Sequence, residues 1–110
     1  MLDIIQKFME QNRKWTDETF PGQSVISTLD HCRSEVTEVK NAIDNGESSK
    51  EILFEFADVY LLLLNSLSKQ GYTFEQLHNA AEEKMIINRS RKWAINGEGF
   101  PAHIKQSGND

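Results

Sequence analysis

Two pairs of acidic residues have the spacing that places carboxylates on one face of a helix. Glu35 and Glu38 are three residues apart, and so are Glu55 and Asp58. Residues i and i+3 lie on the same side of an α-helix. If the two helices are neighbours, four carboxylates meet at one place, and bound cations would relieve their mutual repulsion. Hard carboxylate oxygens suit Mg²⁺ or Mn²⁺, so the pattern indicates a divalent metal centre.

The same acidic pairs are also compatible with a solvated surface. With 17 acidic residues in 110, such pairs arise by chance, and a third occurs at Asp44 and Glu47. The first two pairs differ because they lie in mid-helix beside apolar stripes, where an unpaired acid is unfavourable. From the residues alone, a metal site and a solvated helix face both stay open.

A histidine and a run of cations add candidate binding groups. His31 lies one turn before Glu35 on the same face, where it could position a metal ligand, touch a nucleobase, or simply be a hydrogen-bonded histidine at the core edge. Lys84, Asn88 and Arg91 share a helix face at spacing i, i+4, i+7. In a chain of net charge −5 they could hold a polyphosphate. They equally suit the negative end of a helix.

Aromatic residues near the ends of the predicted helices are candidates for stacking on a nucleobase. These are Trp15, Phe20 and Trp93, although aromatic residues more often serve in cores or subunit contacts. Cys32 is the single cysteine. No Cys/His spacing suggests zinc, and Cys32 is interpreted as a small buried apolar residue rather than a catalytic thiol.

The hydrophobic pattern predicts an all-α chain with no convincing strand. Apolar residues recur at helical spacing, and capping boxes open two of the helices, Ser48 with Glu51 and Thr73 with Gln76. Short connections make consecutive helices antiparallel neighbours, which would turn the two acidic pairs toward each other. The prediction is a single domain over 1–110 with helices at about 1–15, 24–45, 49–70 and 73–92, a loop over 16–23, and an irregular tail at 94–110.

Charge and hydropathy exclude several classes of partner. The acidic balance disfavours binding to a nucleic acid polymer, which requires many cationic contacts. The longest apolar run, Val59–Leu64, is far shorter than the roughly 18 residues of a membrane span, and the first residues do not have the pattern of a secretory signal. We therefore expect a cytoplasmic protein without membrane contact. The third helix is apolar nearly all round, which predicts an oligomer.

Together these residues resemble the MazG-like all-α nucleoside triphosphate pyrophosphohydrolases. The family signature is E-x-x-E, a spacer and E-x-x-D, which Glu35–Glu38 and Glu55–Asp58 match. The match is more specific to the dATP/dGTP pyrophosphohydrolase-like branch and runs from about Met9 to His103. Further motifs of this branch are present as Trp15, Thr19-Phe20, His31, Lys84, Asn88, Arg91, Trp93 and Ala102-His103. The chain departs from the branch at Pro21, Ile87 and Ala94, and Ile87 leaves one phosphate-facing cation fewer.

The resemblance implies a fold, an assembly and a reaction. The fold is a four-to-five-helix bundle assembled as an oligomer, with a homotetramer (a dimer of dimers) favoured over a dimer. The reaction is hydrolysis of a (deoxy)nucleoside triphosphate, with a purine such as dGTP or dATP favoured, to the monophosphate and pyrophosphate. Some relatives are of the viral, dGTP-consuming type, which would place the reaction in the host cytoplasm.

The resemblance also assigns roles to residues. Two or more Mg²⁺ or Mn²⁺ ions are expected on the metal-binding and catalytic carboxylates, which are Glu35, Glu38, Glu55 and Asp58. The expected phosphate-binding residues are Lys84, Asn88 and Arg91. The candidates for nucleoside contact are His31, Trp15, Phe20 and Trp93.

Two other functional classes are compatible with parts of the pattern. One is a non-catalytic helical interaction or regulatory module with a solvated acidic face. The other is a di-iron carboxylate bundle, which expects Glu-x-x-His pairs. His31 precedes its glutamate, and only Glu75 and His78 stand in the required order, so the di-iron class ranks low.

Overall fold

Four helices and one short hairpin make up the computed structural model, which describes residues 1–95, 99 and 101–104. The all-α class predicted from the sequence is confirmed. Contacts divide the chain into two compact units, Met1–Gln76 and Leu77–Asp110. The elements in chain order are α1 Leu2–Thr19, α2 Val25–Asp44, α3 Ser49–Lys69, α4 Phe74–Ser90, β1 Lys92–Ile95 and β2 Pro101–Ile104.

Side-chain caps fix where α3 and α4 begin. The Glu51 N–H donates to Ser48 Oγ at 3.2 Å, and Ser48 Oγ donates to Glu51 Oε1 at 3.0 Å. At the next helix, the Gln76 N–H donates to Thr73 Oγ1 and the Thr73 N–H donates to Gln76 Oε1. Both capping arrangements agree with the residue spacing. Gly46 follows α2 at φ 66°, a backbone conformation that favours glycine at a helix end.

Helices α2 and α3 pack antiparallel. Cys32 Sγ of α2 lies 3.7 Å from the Val59 carbonyl oxygen of α3. Nearer the start of α2, the Gln23 carbonyl accepts a hydrogen bond from Lys69 Nζ at the end of α3. Residue numbers therefore rise along α2 as they fall along α3, and the middle of α2 faces the first half of α3.

Helix α1 packs against α3, and the two helices run parallel. Asn12 Nδ2 donates to the Leu61 carbonyl, and Thr16 Oγ1 donates to Asn65 Oδ1, so both contacts join residues 49 apart.

Among the described residues, none of the helices combines the length and apolar character that crossing a bilayer requires. Buried apolar side chains of this unit are Met9, Val39, Ala42 and Leu64.

The first helix is longer than the sequence pattern predicts. We expected it to end near Trp15 with a loop over 16–23, whereas α1 continues to Thr19. The residues of this extra turn are polar, so they extend no apolar stripe. Their helix is supported instead by an ion pair between Arg13 Nε and Asp17 Oδ2 at 2.9 Å, one turn apart.

The expectation of an irregular tail over 94–110 without strands is wrong for the residues that the structure describes. Strands β1 and β2 pair antiparallel with Trp93 opposite His103, and β1 begins at Lys92, within the stretch predicted as helix. Strands of four residues are too short to show a clear alternation of polar and apolar positions. The part of the predicted tail at 105–110 lies outside the described residues.

Candidate metal centre and adjoining cavity

Three of the four predicted metal ligands come together between α2 and α3. Glu35 of α2 and Glu55 and Asp58 of α3 each offer a carboxylate oxygen, and these oxygens all lie within 4.8 Å of one another. Glu55 and Asp58 share a face because they are three residues apart, and the antiparallel packing brings Glu35 to them. Glu35 and Glu55 are half-buried, whereas Asp58 is exposed.

The electrostatics of this carboxylate cluster (Glu35, Glu55 and Asp58) suit a divalent cation. Partial burial raises the pKa of the Glu55 carboxyl above its ordinary value, and the charges of Asp58, Glu35 and Glu38 raise it further. A raised pKa means that the ionised form is disfavoured when no cation is present. A bound cation would reverse this effect, and an all-oxygen donor set fits Mg²⁺ or Mn²⁺.

Glu38, the fourth predicted ligand, lies outside the carboxylate cluster. It is exposed on α2, one turn beyond Glu35. Its charge still contributes to the raised pKa of Glu55, so it belongs to the same acidic surface. This surface continues to the turn after α2, where a hydrogen bond with Glu51, followed by burial and neighbouring carboxylates, raises the pKa of Glu47.

His31 and Cys32, which lie about one turn before Glu35 on α2, have different roles. His31 Nε2 lies 3.3 Å from Glu35 Oε1, so the imidazole can orient this carboxylate. Burial, and then the charge of Glu35, raise the pKa of the Cys32 thiol. A raised pKa keeps the thiol protonated and poorly nucleophilic, which agrees with the prediction that Cys32 is not a catalytic thiol. The side chain is half-buried rather than buried as predicted.

A cavity of about 320 Å³ adjoins the carboxylate cluster. Glu35 and Asp58 form part of its wall, together with Trp15, Phe20 and His31. The Trp15 and Phe20 rings meet edge to face, with their centroids 5.6 Å apart and their planes at 86°. The structure therefore places three of the four predicted nucleoside-binding residues around one cavity that also reaches two predicted metal ligands.

Sequence reasoning missed most of the polar lining of this cavity. On α3, Asp58, Leu62, Asn65 and Lys69 recur at spacing 4, 3, 4 and therefore share one face. The polar Asn65 within a run of leucines was the available signal, because a polar residue in a buried stripe needs a partner. The lining residues not predicted from the sequence are Asn12, Thr16, Gln23, Thr28, Leu61, Leu62, Asn65 and Lys69.

Lys69 holds the segment between α1 and α2 against the end of α3. Its side chain is only 7% exposed, and its Nζ donates to the Gln23 carbonyl at 2.7 Å and lies 3.7 Å from Asp17 Oδ1. Phe20 belongs to the segment held in this way. The cavity is near the lower end of the roughly 300–1,000 Å³ typical of small-molecule sites.

The remaining predicted residues lie in the second unit. Lys84 is exposed on α4, Asn88 is half-buried one turn later, and Arg91 follows the helix. Trp93 Nε1 donates to the Asn88 carbonyl at 2.8 Å, and its ring lies 5.7 Å from the ring of His103. Asn88, Trp93 and His103 thus lie close together within this unit.

Comparison with known proteins gives matches to a family model and to solved structures. A family model described as dATP/dGTP pyrophosphohydrolase matches residues 8–110. Among solved structures, the MazG-like pyrophosphohydrolase of cyanophage S-2L, bound to dGDP and three catalytic Mn²⁺ ions per active site, matches with a TM-score of 0.68. Its sequence is 24% identical, and the match covers 90% of this chain and 95% of that chain. A comparison with curated proteins finds no match. The fold expected from the resemblance, a MazG-like all-α bundle, is confirmed.

Proposed function

Because the chain belongs to the dATP/dGTP pyrophosphohydrolase family, we propose that it hydrolyses a purine deoxynucleoside triphosphate to the monophosphate and pyrophosphate. Family membership makes the chain an enzyme that hydrolyses nucleotides, so a non-catalytic interaction module does not fit. The observation that supports the substrate assignment is the shared cavity. Glu35 and Asp58 lie on its wall with Trp15, Phe20 and His31, which puts acidic ligands for cation-bound phosphates beside groups able to hold a base.

The carboxylate cluster is proposed to hold two or more Mg²⁺ or Mn²⁺ ions, with Glu38 as a further ligand. The MazG-like protein of cyanophage S-2L, which binds three catalytic Mn²⁺ ions, supports this assignment. When bound, such cations neutralise phosphate charge and lower the pKa of an attacking water. His31 keeps Glu35 oriented through the 3.3 Å contact. Without cations, the clustered negative charges would repel a triphosphate.

The phosphate-binding role predicted for Lys84, Asn88 and Arg91 is retained as part of the proposal. Lys84 and Asn88 are one turn apart on α4, and Arg91 follows. An ammonium and a guanidinium give a point charge and a planar pair of donors, both suited to phosphate oxygens. Trp93 stays a predicted nucleoside contact, and its indole is tied to the Asn88 carbonyl.

The base is proposed to enter the cavity beside Trp15. Trp15 is 56% exposed and Phe20 is 49% exposed, so a ring face of either residue is accessible for stacking. The dGDP bound by the S-2L protein supports a purine as the base. We place the reaction in the cytoplasm, where nucleoside triphosphates are used.

A dimer of dimers is proposed as the assembly. Leu53, Phe54 and Phe56 of α3 are 65%, 61% and 52% exposed, and large exposed apolar side chains on one helix are typical of a subunit contact. Light scattering at micromolar concentration is expected to give the mass of a tetramer. A single sharp monomer peak would refute the assembly.

A substrate panel tests the proposed reaction. The protein is incubated with Mg²⁺ and each of eight ribo- and deoxynucleoside triphosphates, and the products are resolved by chromatography. We expect purine deoxynucleoside triphosphates to give monophosphate and pyrophosphate in equal amounts. An Asp58→Asn variant should be inactive, whereas the control Asp30→Asn, at an exposed acid on α2 outside the cluster, should be as active as the unaltered protein. Release of orthophosphate, or no turnover of any nucleotide, would contradict the proposal.

A further inference from the structure

Asn65 is an almost fully buried amide on the wall of the cavity. The residue is 3% exposed and lies on α3 within a leucine-rich stretch. Burial of a carboxamide is unfavourable unless its donors and acceptor are hydrogen-bonded. One half of this requirement is met within the chain, because Thr16 Oγ1 of α1 donates to Asn65 Oδ1 at 3.2 Å.

The single hydroxyl proton of Thr16 has two acceptors within reach. Arg13 O lies 3.0 Å away, and Asn65 Oδ1 lies 3.2 Å away. The Arg13 carbonyl already accepts the regular helical hydrogen bond within α1. A buried amide oxygen without its donor would be left unsatisfied, so the proton is assigned to the bond with Asn65.

The amide nitrogen of Asn65 is then the part available to a ligand. Nδ2 has two N–H groups, and across residues 1–95, 99 and 101–104 the structure gives it no hydrogen-bond acceptor. Asn65 belongs to the cavity lining. The cavity therefore presents a fixed donor whose geometry is set by Thr16.

The position of Asn65 relative to the carboxylate cluster suits a base rather than a phosphate. Asp58 and Asn65 are seven residues apart on α3, which is two helical turns and a rise of about 10 Å. Both line the same cavity. If the phosphates are bound near Asp58 and the base enters the cavity, as proposed above, the base rather than the phosphates would lie near Asn65.

We propose that Asn65 reads the nucleobase by donating a hydrogen bond from Nδ2 to a carbonyl oxygen of the base, so that the cavity selects 6-oxopurines over 6-aminopurines. This inference rests on the proposed function and names the base within it. Guanine and hypoxanthine present an oxygen at position 6, whereas adenine presents an amino group there. Two donors facing each other leave both without an acceptor, and a mismatch of this kind costs roughly tenfold or more in kcat/KM.

The test compares dGTP, dITP and dATP as substrates of the unaltered protein. Deoxyinosine triphosphate has the 6-oxygen but lacks the 2-amino group, so it isolates the contact to position 6. We expect dGTP and dITP to have similar kcat/KM values, both about tenfold or more above that of dATP. A dATP value equal to or above that of dITP would overturn the inference without any variant.

Variants of Asn65 and Thr16 assign the preference to this pair. Asn65→Ala should bring the ratio of dITP to dATP close to one, and Asn65→Asp, which replaces the donor with an acceptor, should reverse it. Thr16→Val removes the hydroxyl that orients the amide and should also lower the ratio. The two substrates are compared in the same variant, whose fold is checked by circular dichroism. Effects on folding or on the chemical step therefore cancel in the ratio. Asn79→Asp, at an exposed position of α4, is the matched control and should keep the ratio.

The outcomes separate this inference from the proposed function. Hydrolysis with a ratio that none of the Asn65 and Thr16 variants alters would overturn the role of Asn65 and leave the pyrophosphohydrolase assignment intact. A preference for dATP that Asn65→Asp keeps and Asn65→Ala abolishes would mean that the amide oxygen faces the cavity, and would also overturn the inference. If no triphosphate is hydrolysed, the proposed function fails. The base preference is then read from equilibrium binding of the same three nucleotides, and equal affinities would overturn the inference as well.

Discussion

Glu35 on α2 and Asp58 on α3 offer carboxylate oxygens within 4.8 Å of each other, and both residues line the same cavity of about 320 Å³. Two helices that run antiparallel thus bring together acids that are 23 residues apart in the chain. The relationship links the candidate metal centre to the candidate nucleotide pocket.

The geometry predicts unequal contributions from the two acids of α2. Glu35→Gln removes a member of the carboxylate cluster and should lower kcat by roughly 100-fold or more, since loss of a metal ligand removes several kcal/mol of transition-state stabilisation. Glu38→Gln, at the exposed position outside the cluster, should mainly raise the Mg²⁺ concentration required for half-maximal activity. Steady-state rates over a Mg²⁺ titration measure both effects. Equal losses in the two variants at saturating Mg²⁺ would show that the cluster of three is not the main ligand set.

The raised pKa of Glu55 predicts a stabilising substitution. In the metal-free protein, the folded state holds the Glu55 proton more tightly than the unfolded state does, so this group's contribution to stability falls as the pH rises from 4.5 through its raised pKa. Glu55→Gln removes that effect. The variant should therefore have a higher Tm than the unaltered protein at pH 7 in a chelator, and it should lack activity. Thermal scans at several pH values, with and without Mg²⁺, make the comparison.

Added Mg²⁺ should raise the Tm of the unaltered protein more than that of Glu55→Gln, because the cation offsets both the burial of the Glu55 charge and its repulsion by neighbouring carboxylates. If Glu55→Gln melts below the unaltered protein in the chelator, the charge of Glu55 does not destabilise the metal-free fold.

The proposed stacking role of Trp15 predicts a change in substrate affinity. Replacing Trp15 with alanine removes an aromatic face worth about 1–3 kcal/mol for one stacked base, so KM should rise about tenfold or more with a smaller change in kcat. Tyr72→Ala, at an exposed aromatic residue after α3, is the control and should leave KM unchanged. An unchanged KM in Trp15→Ala would remove this residue from the nucleoside site.

The cationic residues near the end of α4 are expected to differ in importance. Lys84→Ala and Arg91→Ala should each lower kcat/KM by roughly 10- to 100-fold, because each removes a charge that offsets the polyphosphate. Arg89→Ala lies on the same helix at an exposed position that falls outside the i, i+4, i+7 face, and it should change kcat/KM little. Initial rates with the preferred triphosphate distinguish the three. Equal small effects would indicate that these residues only complement the negative end of the helix.

The sequence was informative where helical periodicity and capping act locally. The 3, 4 spacing of apolar residues predicted α2 and α3 to within a few residues, and the short connection at Gly46 predicted their antiparallel packing. The cluster of Glu35, Glu55 and Asp58 followed from these two features. Their role as metal ligands stays a prediction.

Features that depend on contacts between distant residues were not accessible from the sequence. Asn65 lies within a leucine run. Its hydrogen bond with Thr16 depends on the packing of α1 against α3, which the sequence pattern does not predict. The last turn of α1 has no apolar stripe, so the sequence pattern predicts a loop where the structure has helix. The pairing of β1 with β2 places Trp93 opposite His103, and a four-residue strand is too short for its sequence pattern to predict such pairing.

Manganese binding measured by titration calorimetry tests the central claim most directly. The unaltered protein should bind Mn²⁺ stoichiometrically, and more tightly when a non-hydrolysable deoxyguanosine triphosphate analogue is present. Asp58→Asn should lose this binding, while Asp30→Asn should retain it. The absence of saturable Mn²⁺ binding to the unaltered protein, with or without the nucleotide, would contradict the assignment of these carboxylates as a metal centre.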